Sequence, residues 1–173
     1  MTFFRHFFIG FFVLMLLSGG INWLIDPFSI YGAPLIDRLN THKSPGAPRF
    51  FKPLQASARQ PSVVFLGSSR TQVGLDPDDL LGAYNFGIPG LRAAEYNGYV
   101  EHILADTEAK RLVIGLDFLS FNDARTVEGS YTAAVLGKNA LLRSISETLF
   151  SYNALDRSRK TFRRSYKGIT VYH

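Results

Sequence analysis

The alternation of hydrophobic and polar positions divides the chain into three stretches. From Phe7 to Ile25 no residue is charged, and Asp26-Pro27 ends the run. Those nineteen residues, if helical, rise about 28 Å, close to the ~30 Å hydrocarbon core of a bilayer. Lacking a polar face, the segment does not read as a helix of a water-soluble core. Ser18-Gly19-Gly20 offers small residues of the kind a signal peptidase cuts beside. The apolar run nevertheless continues through Ile21, Trp23, Leu24 and Ile25, and tryptophan favours the membrane interface. The pattern therefore predicts an uncleaved membrane anchor over residues 1–25, helical from about Phe4 to Ile25.

Residues 26–61 have no sustained period of 2 or 3.6. Pro27, Pro34, Pro45, Pro48, Pro53 and Pro61, with Gly32 and Gly46, punctuate them. They predict a Pro-rich collar or linker, with Tyr31, Phe50 and Phe51 free to pack onto a domain.

From Ser62 to the end, residues 62–173, strand and helix patterns alternate. Ser62 to Leu66 is a short, nearly all-apolar strand of the kind buried on both faces of a parallel sheet. Asp76-Pro77 marks a helix start, with aspartate capping and proline in the first helical position. Tyr84-Asn85-Phe86 is a brief strand cut off by Gly87-Ile88-Pro89-Gly90. Tyr96, Tyr99, Val100, Ile103 and Leu104 then share one helical face. Arg111 to Phe118 supplies another buried strand. The order predicts an α/β fold, an open parallel sheet with right-handed crossovers, behind an N-terminal transmembrane helix. Leu141, Leu142, Ile145, Leu149 and Phe150 predict a helix over Ala140–Tyr152, followed by an extended or detached end.

Charge and composition narrow the partners. The net charge of +5 is concentrated late, where Arg157, Arg159, Lys160, Arg163, Arg164 and Lys167 follow Asp156 without an intervening acid. Such a run can touch anionic lipid or nucleic acid, but it reads first as a solvated helix. No aromatic-and-glycine motif accompanies it, so nucleic acid is not expected as a partner. Arg5 is the strong charge before the span, while Arg38, Lys43, Arg49 and Lys52 follow it. A strict count would place the C-terminal side inside, yet a short tail before a first apolar segment acts as an export signal. Absence of cysteine is compatible with export. The expected location is a bacterial cytoplasmic membrane, crossed once, with the domain outside.

The candidate chemistry lies at the strand ends, where parallel α/β sheets carry their sites. Gly67-Ser68-Ser69-Arg70 ends a strand on a turn into a helix. A serine there has the exposure a nucleophile needs, and equally the position of an N-cap. Gly90 offers an unobstructed N–H to an oxyanion, or simply permits a tight turn. If the strands are parallel, Ser69, Gly87 to Gly90, and Asp117 to Asn122 meet at one rim. Neither Gly-x-x-x-x-Gly-Lys nor Gly-x-Gly-x-x-Gly is present, which argues against a phosphate-binding module. No metal and no cofactor is expected.

Gly67-Ser68-Ser69-Arg70, Asn85-Phe86-Gly87-Ile88-Pro89-Gly90 and Leu112-Val113-Ile114-Gly115-Leu116-Asp117-Phe118 resemble the SGNH/GDSL hydrolase superfamily. The nearer likeness is to its membrane-anchored branch, of the D-alanyl-transfer and alginate-acetylation type. Asn22-Trp23-Leu24-Ile25-Asp26-Pro27 also resembles the juxtamembrane sequence of such proteins. The resemblance covers residues 62–122 and implies an SGNH/flavodoxin-like sheet and a serine esterase or acyltransferase of the cell envelope. It makes Ser69 the nucleophile and Gly90, with the Ser69 N–H, the oxyanion donors. Ser68, Arg70, Asn85, Asp117 and Asn122 are then candidate binding residues. It further implies a possible partner, an integral-membrane acyltransferase.

Two departures stand out. Where many members have Gly-x-Asn-Asp, this chain reads Gly115-Leu116-Asp117-Phe118. The superfamily draws its base and orienting acid from an Asp-x-x-His motif, and none of His6, His42, His102 or His173 has an aspartate three residues earlier. A serine needs such a base, so no triad can be assembled. Gly168-Ile169-Thr170-Val171-Tyr172-His173 reads as a strand stopped midway. The expectation is a piece of a longer protein, inactive by itself. The alternative is a membrane-tethered accessory or binding protein without turnover.

Overall fold

The computed structural model describes residues 2–43, 46–121 and 135–169. They form two units, one of residues 2–43 and 144–169, the other of residues 46–121 and 135–143.

In the first unit, α1 (Thr2–Ile25) is long and apolar enough to cross a membrane. Its side chains from Phe3 to Leu17 are almost all exposed, whereas Gly19, Asn22 and Ile25 are buried by the elements packed on its last turns. Asp26, with φ 44°, then turns the chain, its carboxylate accepting from the Ile30 and Tyr31 N–H groups at 2.8 and 3.1 Å. Two later helices belong to this unit, Ile145–Leu149 and Tyr152–Lys167. The second of these bears out the helix read for the basic run and corrects the expectation of a detached, extended end. Its inward stripe is Ala154, Ser158, Thr161 and Ser165, all buried. Small polar residues at spacings of four and three let two helices approach closely, and large apolar side chains are not required.

The second unit begins with α2 (Pro48–Arg59), a helix inside the proline-rich stretch. Pro48 occupies the first turn, where its missing N–H costs nothing. Then come β1 (Val63–Gly67), α3 (Ser69–Gly74), β2 (Ala83–Gly87), α4 (Ala93–Asp106), β3 (Arg111–Gly115) and α5 (Ala140–Arg143). Pro77–Asp79 forms only a short 3-10 turn, with Asp76 capping the Asp78 N–H at 3.0 Å.

The three strands form an open parallel sheet of order β2-β1-β3, as the α/β pattern predicts. Val64, Leu66, Phe86, Ile88, Leu91, Tyr99 and Ile103 make its core at 1% exposure or less. Leu104 is excluded from that core and stands exposed. On the outer side of β2, Lys52 Nζ donates to the Asn85 carbonyl at 2.5 Å and sits 5.3 Å from the Tyr84 ring centre. Burial there, with repulsion from Arg59, brings the Lys52 ammonium down to about 8. The opposite edge is different. β3 reads as a buried strand in sequence, yet Val113 and Ile114 are 46% and 44% exposed. It is an edge strand, bonded to β1 alone among the described strands, and hydrophobicity cannot specify which neighbour covers it.

A polar knot ties α2, α4 and residues 137–140 together. His102 is fully buried; its Nδ1 accepts from the Gly137 N–H at 3.0 Å and its Nε2 faces the Pro53 carbonyl at 3.1 Å. Asp106 accepts from Ser57 Oγ at 2.7 Å and from the Asn139 and Ala140 N–H groups at 2.8 and 3.1 Å. The wiring makes His102 a neutral imidazole protonated on Nε2. Burial holds its pKa below the ordinary histidine value of 6.5. The unfolded chain therefore binds a proton that the folded chain refuses, and stability falls as pH drops through 6.5 towards the depressed value. Urea unfolding at about pH 7.5 and about pH 5 should show this loss, and His102→Asn should reduce the difference between the two pH values. An undiminished difference in that variant would assign the acid sensitivity elsewhere.

Candidate functional site at the carboxyl rim of the sheet

The strands pair residue for residue, so Gly67, Gly87 and Gly115 lie side by side at their carboxyl ends. The reason is α3, which lies directly against all three. A Cβ on Gly67 or Gly115 would overlap Thr71 Oγ1, and one on Gly87 would come 2.5 Å from the Gln72 nitrogen. The glycines form a floor that seats the helix carrying the serines.

The two serines take different environments. Ser68, 4% exposed, is the N-cap of α3. Its Oγ accepts from the Arg70 N–H at 3.3 Å and donates to Asp117 Oδ2 at 3.0 Å. Asp117 Oδ1 accepts from the Leu119 N–H and pairs with Arg70 Nη1, both at 3.2 Å. Asp117 thus binds the loop after β1 to the loop after β3. Ser69 follows on the exposed side of the turn. Arg70, its side chain 72% exposed, reaches Asp117 with one nitrogen and leaves most of its guanidinium in solvent. Ser68, Arg70, Thr71, Leu75 and Asp117 are among the residues around a cavity of about 240 Å³ beside this network.

Asn85 is committed to the scaffold. Its Nδ2 donates to the carbonyls of Thr71, Gln72 and Leu75 at 3.1, 3.1 and 2.7 Å, and its Oδ1 accepts from the Gly87 N–H at 2.9 Å. It closes the far end of α3. Gly90 has φ 68°, a conformation that glycine alone adopts without strain, and is exposed on the loop leaving β2. Asn122 and His173 lie outside the described residues.

Four residues that the sequence did not mark as site residues hold this rim. Arg49 donates to the Pro89 and Gly90 carbonyls at 3.2 and 2.9 Å and to both carboxylate oxygens of Glu95 at 2.7 and 3.0 Å. Glu95 also accepts from the Arg92 N–H at 2.9 Å. Arg92 Nη1 reaches the Leu119 carbonyl at 3.3 Å, and the Tyr96 hydroxyl donates to the Gly115 carbonyl at 2.8 Å. Glu95 stands at the third position of α4 and accepts from the N-cap Arg92 N–H, but arginine is not a preferred capping residue, so the sequence carries only half of a capping signal. Arg49 has no local signal, because its partner is 46 residues away.

The rim therefore offers an exposed serine, an exposed guanidinium and a glycine backbone, and among the described residues no general base stands beside them. His102, the described histidine of this unit, has both ring nitrogens engaged in the polar knot. Among the described residues no cluster of His, Asp or Glu side chains is placed to hold a metal ion. Comparison with protein-family models, with curated proteins and with solved structures finds no match for the chain.

Proposed function

We propose that the chain is a membrane-anchored, SGNH-hydrolase-like protein of the bacterial cell envelope, with its sheet unit outside the cytoplasmic membrane. The chemistry this site would perform, once a base is supplied, is ester hydrolysis or acyl transfer on an exported polymer. Ser69 Oγ attacks the acyl carbonyl, and the Gly90 and Ser69 N–H groups receive the oxyanion. The observation that carries this reading is the sorting of the serines: Ser68 is locked to Asp117 while its neighbour stands exposed at the rim. With no base beside it among the described residues, Ser69 keeps its proton, and we expect the chain by itself to be catalytically silent.

The expected result is hydrolysis of a short-chain p-nitrophenyl ester no faster than by Ser69→Ala. Added imidazole, replacing the missing base, should promote fluorophosphonate labelling of the chain at Ser69. Equal labelling of Ser69→Ala would reject the nucleophile. Turnover without imidazole, abolished by Ser69→Ala, would reveal a base within the chain.

One observation favours a second reading, an accessory protein without turnover that partners an integral-membrane acyltransferase. Asp117 and His102, residue types a triad requires, are both bound into structural networks. That reading expects no labelling with imidazole and co-purification with a multispanning membrane protein.

A further inference from the structure

The 16-residue helix Tyr152–Lys167, α7 after α6 (Ile145–Leu149), carries a surface that the rim chemistry does not use. We infer that α7 lies on the bilayer entered by α1 and binds the phosphate groups of anionic phospholipids there. The inference rests on reading α1 as a membrane-spanning helix.

Position comes first. Asn22, in the last turns of α1, accepts from Ser158 Oγ at 2.7 Å and donates to the Leu149 carbonyl at 2.6 Å. Phe150 fills the space left by Gly19, whose Cβ would stand 2.5 Å from its ring. The α6–α7 pair is thereby fixed against residues 19–25 of α1. The exposed apolar surface of α1 begins at Phe3. Spanning a hydrocarbon core takes about 20 helical residues, which brings the boundary to the turn holding Asn22. The headgroup layer then lies at the level of α7.

Chemistry agrees with position. Beside the buried stripe of α7 runs an exposed flank of Leu155, Phe162 and Tyr166, at 39%, 44% and 67% exposure. Leu155 and Phe162, with Ile21 and Ile25 of α1, line an apolar groove of about 370 Å³ that also meets Arg159 and Asp156. The groove has the chemistry for an acyl chain, and the cation at its margin suits a phosphate. Arg159, Arg163, Lys160 and Lys167 continue outward from that margin, all exposed. Asp156 offsets part of this charge, pairing with Arg159 at 3.2 Å and Lys160 at 2.6 Å. An apolar flank bordered by cations is the arrangement of a helix lying in a membrane interface. Nucleic acid would use the cations but not the groove.

The chain has no cysteine, so single labels can be placed freely. The full chain is reconstituted into vesicles of phosphatidylcholine, with or without about 30% phosphatidylglycerol, enough to give a negative surface. An environment-sensitive fluorophore is attached at Phe162→Cys, and in a second preparation at Leu14→Cys to report insertion of α1. With phosphatidylglycerol, the label at 162 should shift to the blue and be quenched by lipid-borne quenchers. The triple variant Arg159→Gln, Arg163→Gln, Lys167→Gln should lose that shift. A label at 162 that stays in water while the label at 14 is buried overturns the inference. So does a blue shift indifferent to phosphatidylglycerol and to the triple variant, or one produced by RNA in phosphatidylcholine vesicles. A label at 14 that stays in water rejects the membrane-spanning reading instead.

Discussion

Arg49→Ala should destabilise the sheet unit by about 3–5 kcal/mol, a large part of what a domain of this size has to lose. Arg49 and Glu95 are 2% and 1% exposed, and the guanidinium meets both carboxylate oxygens. Truncation leaves a carboxylate buried without its counter-charge, and that penalty is larger than the net worth of the intact pair. The Pro89 and Gly90 carbonyls lose their donor in the same step. Arg49→Met with Glu95→Gln should recover most of the loss, because it removes the orphan charge yet keeps an acceptor for the Arg92 N–H. Urea unfolding monitored by circular dichroism measures both variants. A cost below about 1 kcal/mol for Arg49→Ala would mean that water reaches Glu95, and that the clamp does not hold the loop after β2.

The role of Arg49 marks the limit of what was legible in the sequence. β1 and β2 were readable because their apolar runs stop at glycines, and both are buried as the runs imply. The exposed side of β3 was not, since an apolar strand announces a need for cover without naming what supplies it. The helix α2 was hidden by its prolines, although Pro48 at its start is a favourable position. The packing of α7 was not legible for another reason: its buried stripe is alanine, serine and threonine, small residues that give no apolar signal in the sequence. At the rim, the exposure of a serine after Gly67 could be anticipated from the strand-to-helix turn alone. The partners of Asp117, Asn85 and Arg49 could not, because each contact joins residues at least ten positions apart in sequence, apart from the local bonds of Asn85 to Gly87 and of Asp117 to Leu119.

The glycine floor leads to the second large effect, and its three members should fail differently. At Gly87 an added Cβ meets the Gln72 backbone, with nitrogen at 2.5 Å and Cα at 2.6 Å. Neither atom can turn aside, so Gly87→Ala must lift α3 off the sheet or bend β2. Overpacking of this kind costs about 1–3 kcal/mol, and more where backbone must move. At Gly115 the obstacle is Thr71 Oγ1, a single side-chain atom, and the next contact is Thr71 Cβ at 3.6 Å. Gly115→Ala should therefore be rescued by Thr71→Ala, while Gly87→Ala should not. Gly67 lies between these cases: Thr71 Cβ itself stands 2.7 Å away, so Thr71→Ala relieves only part of the clash. Urea unfolding of the three glycine variants, each with and without Thr71→Ala, reads the stability difference. Imidazole-dependent labelling of Ser69 reads the position of α3 separately. Gly87→Ala should lose labelling even where the chain remains folded, because the serine moves with the helix. Equal rescue at Gly87 and Gly115 would show that α3 rests on the sheet loosely, and that the three aligned glycines do not set the height of Ser69.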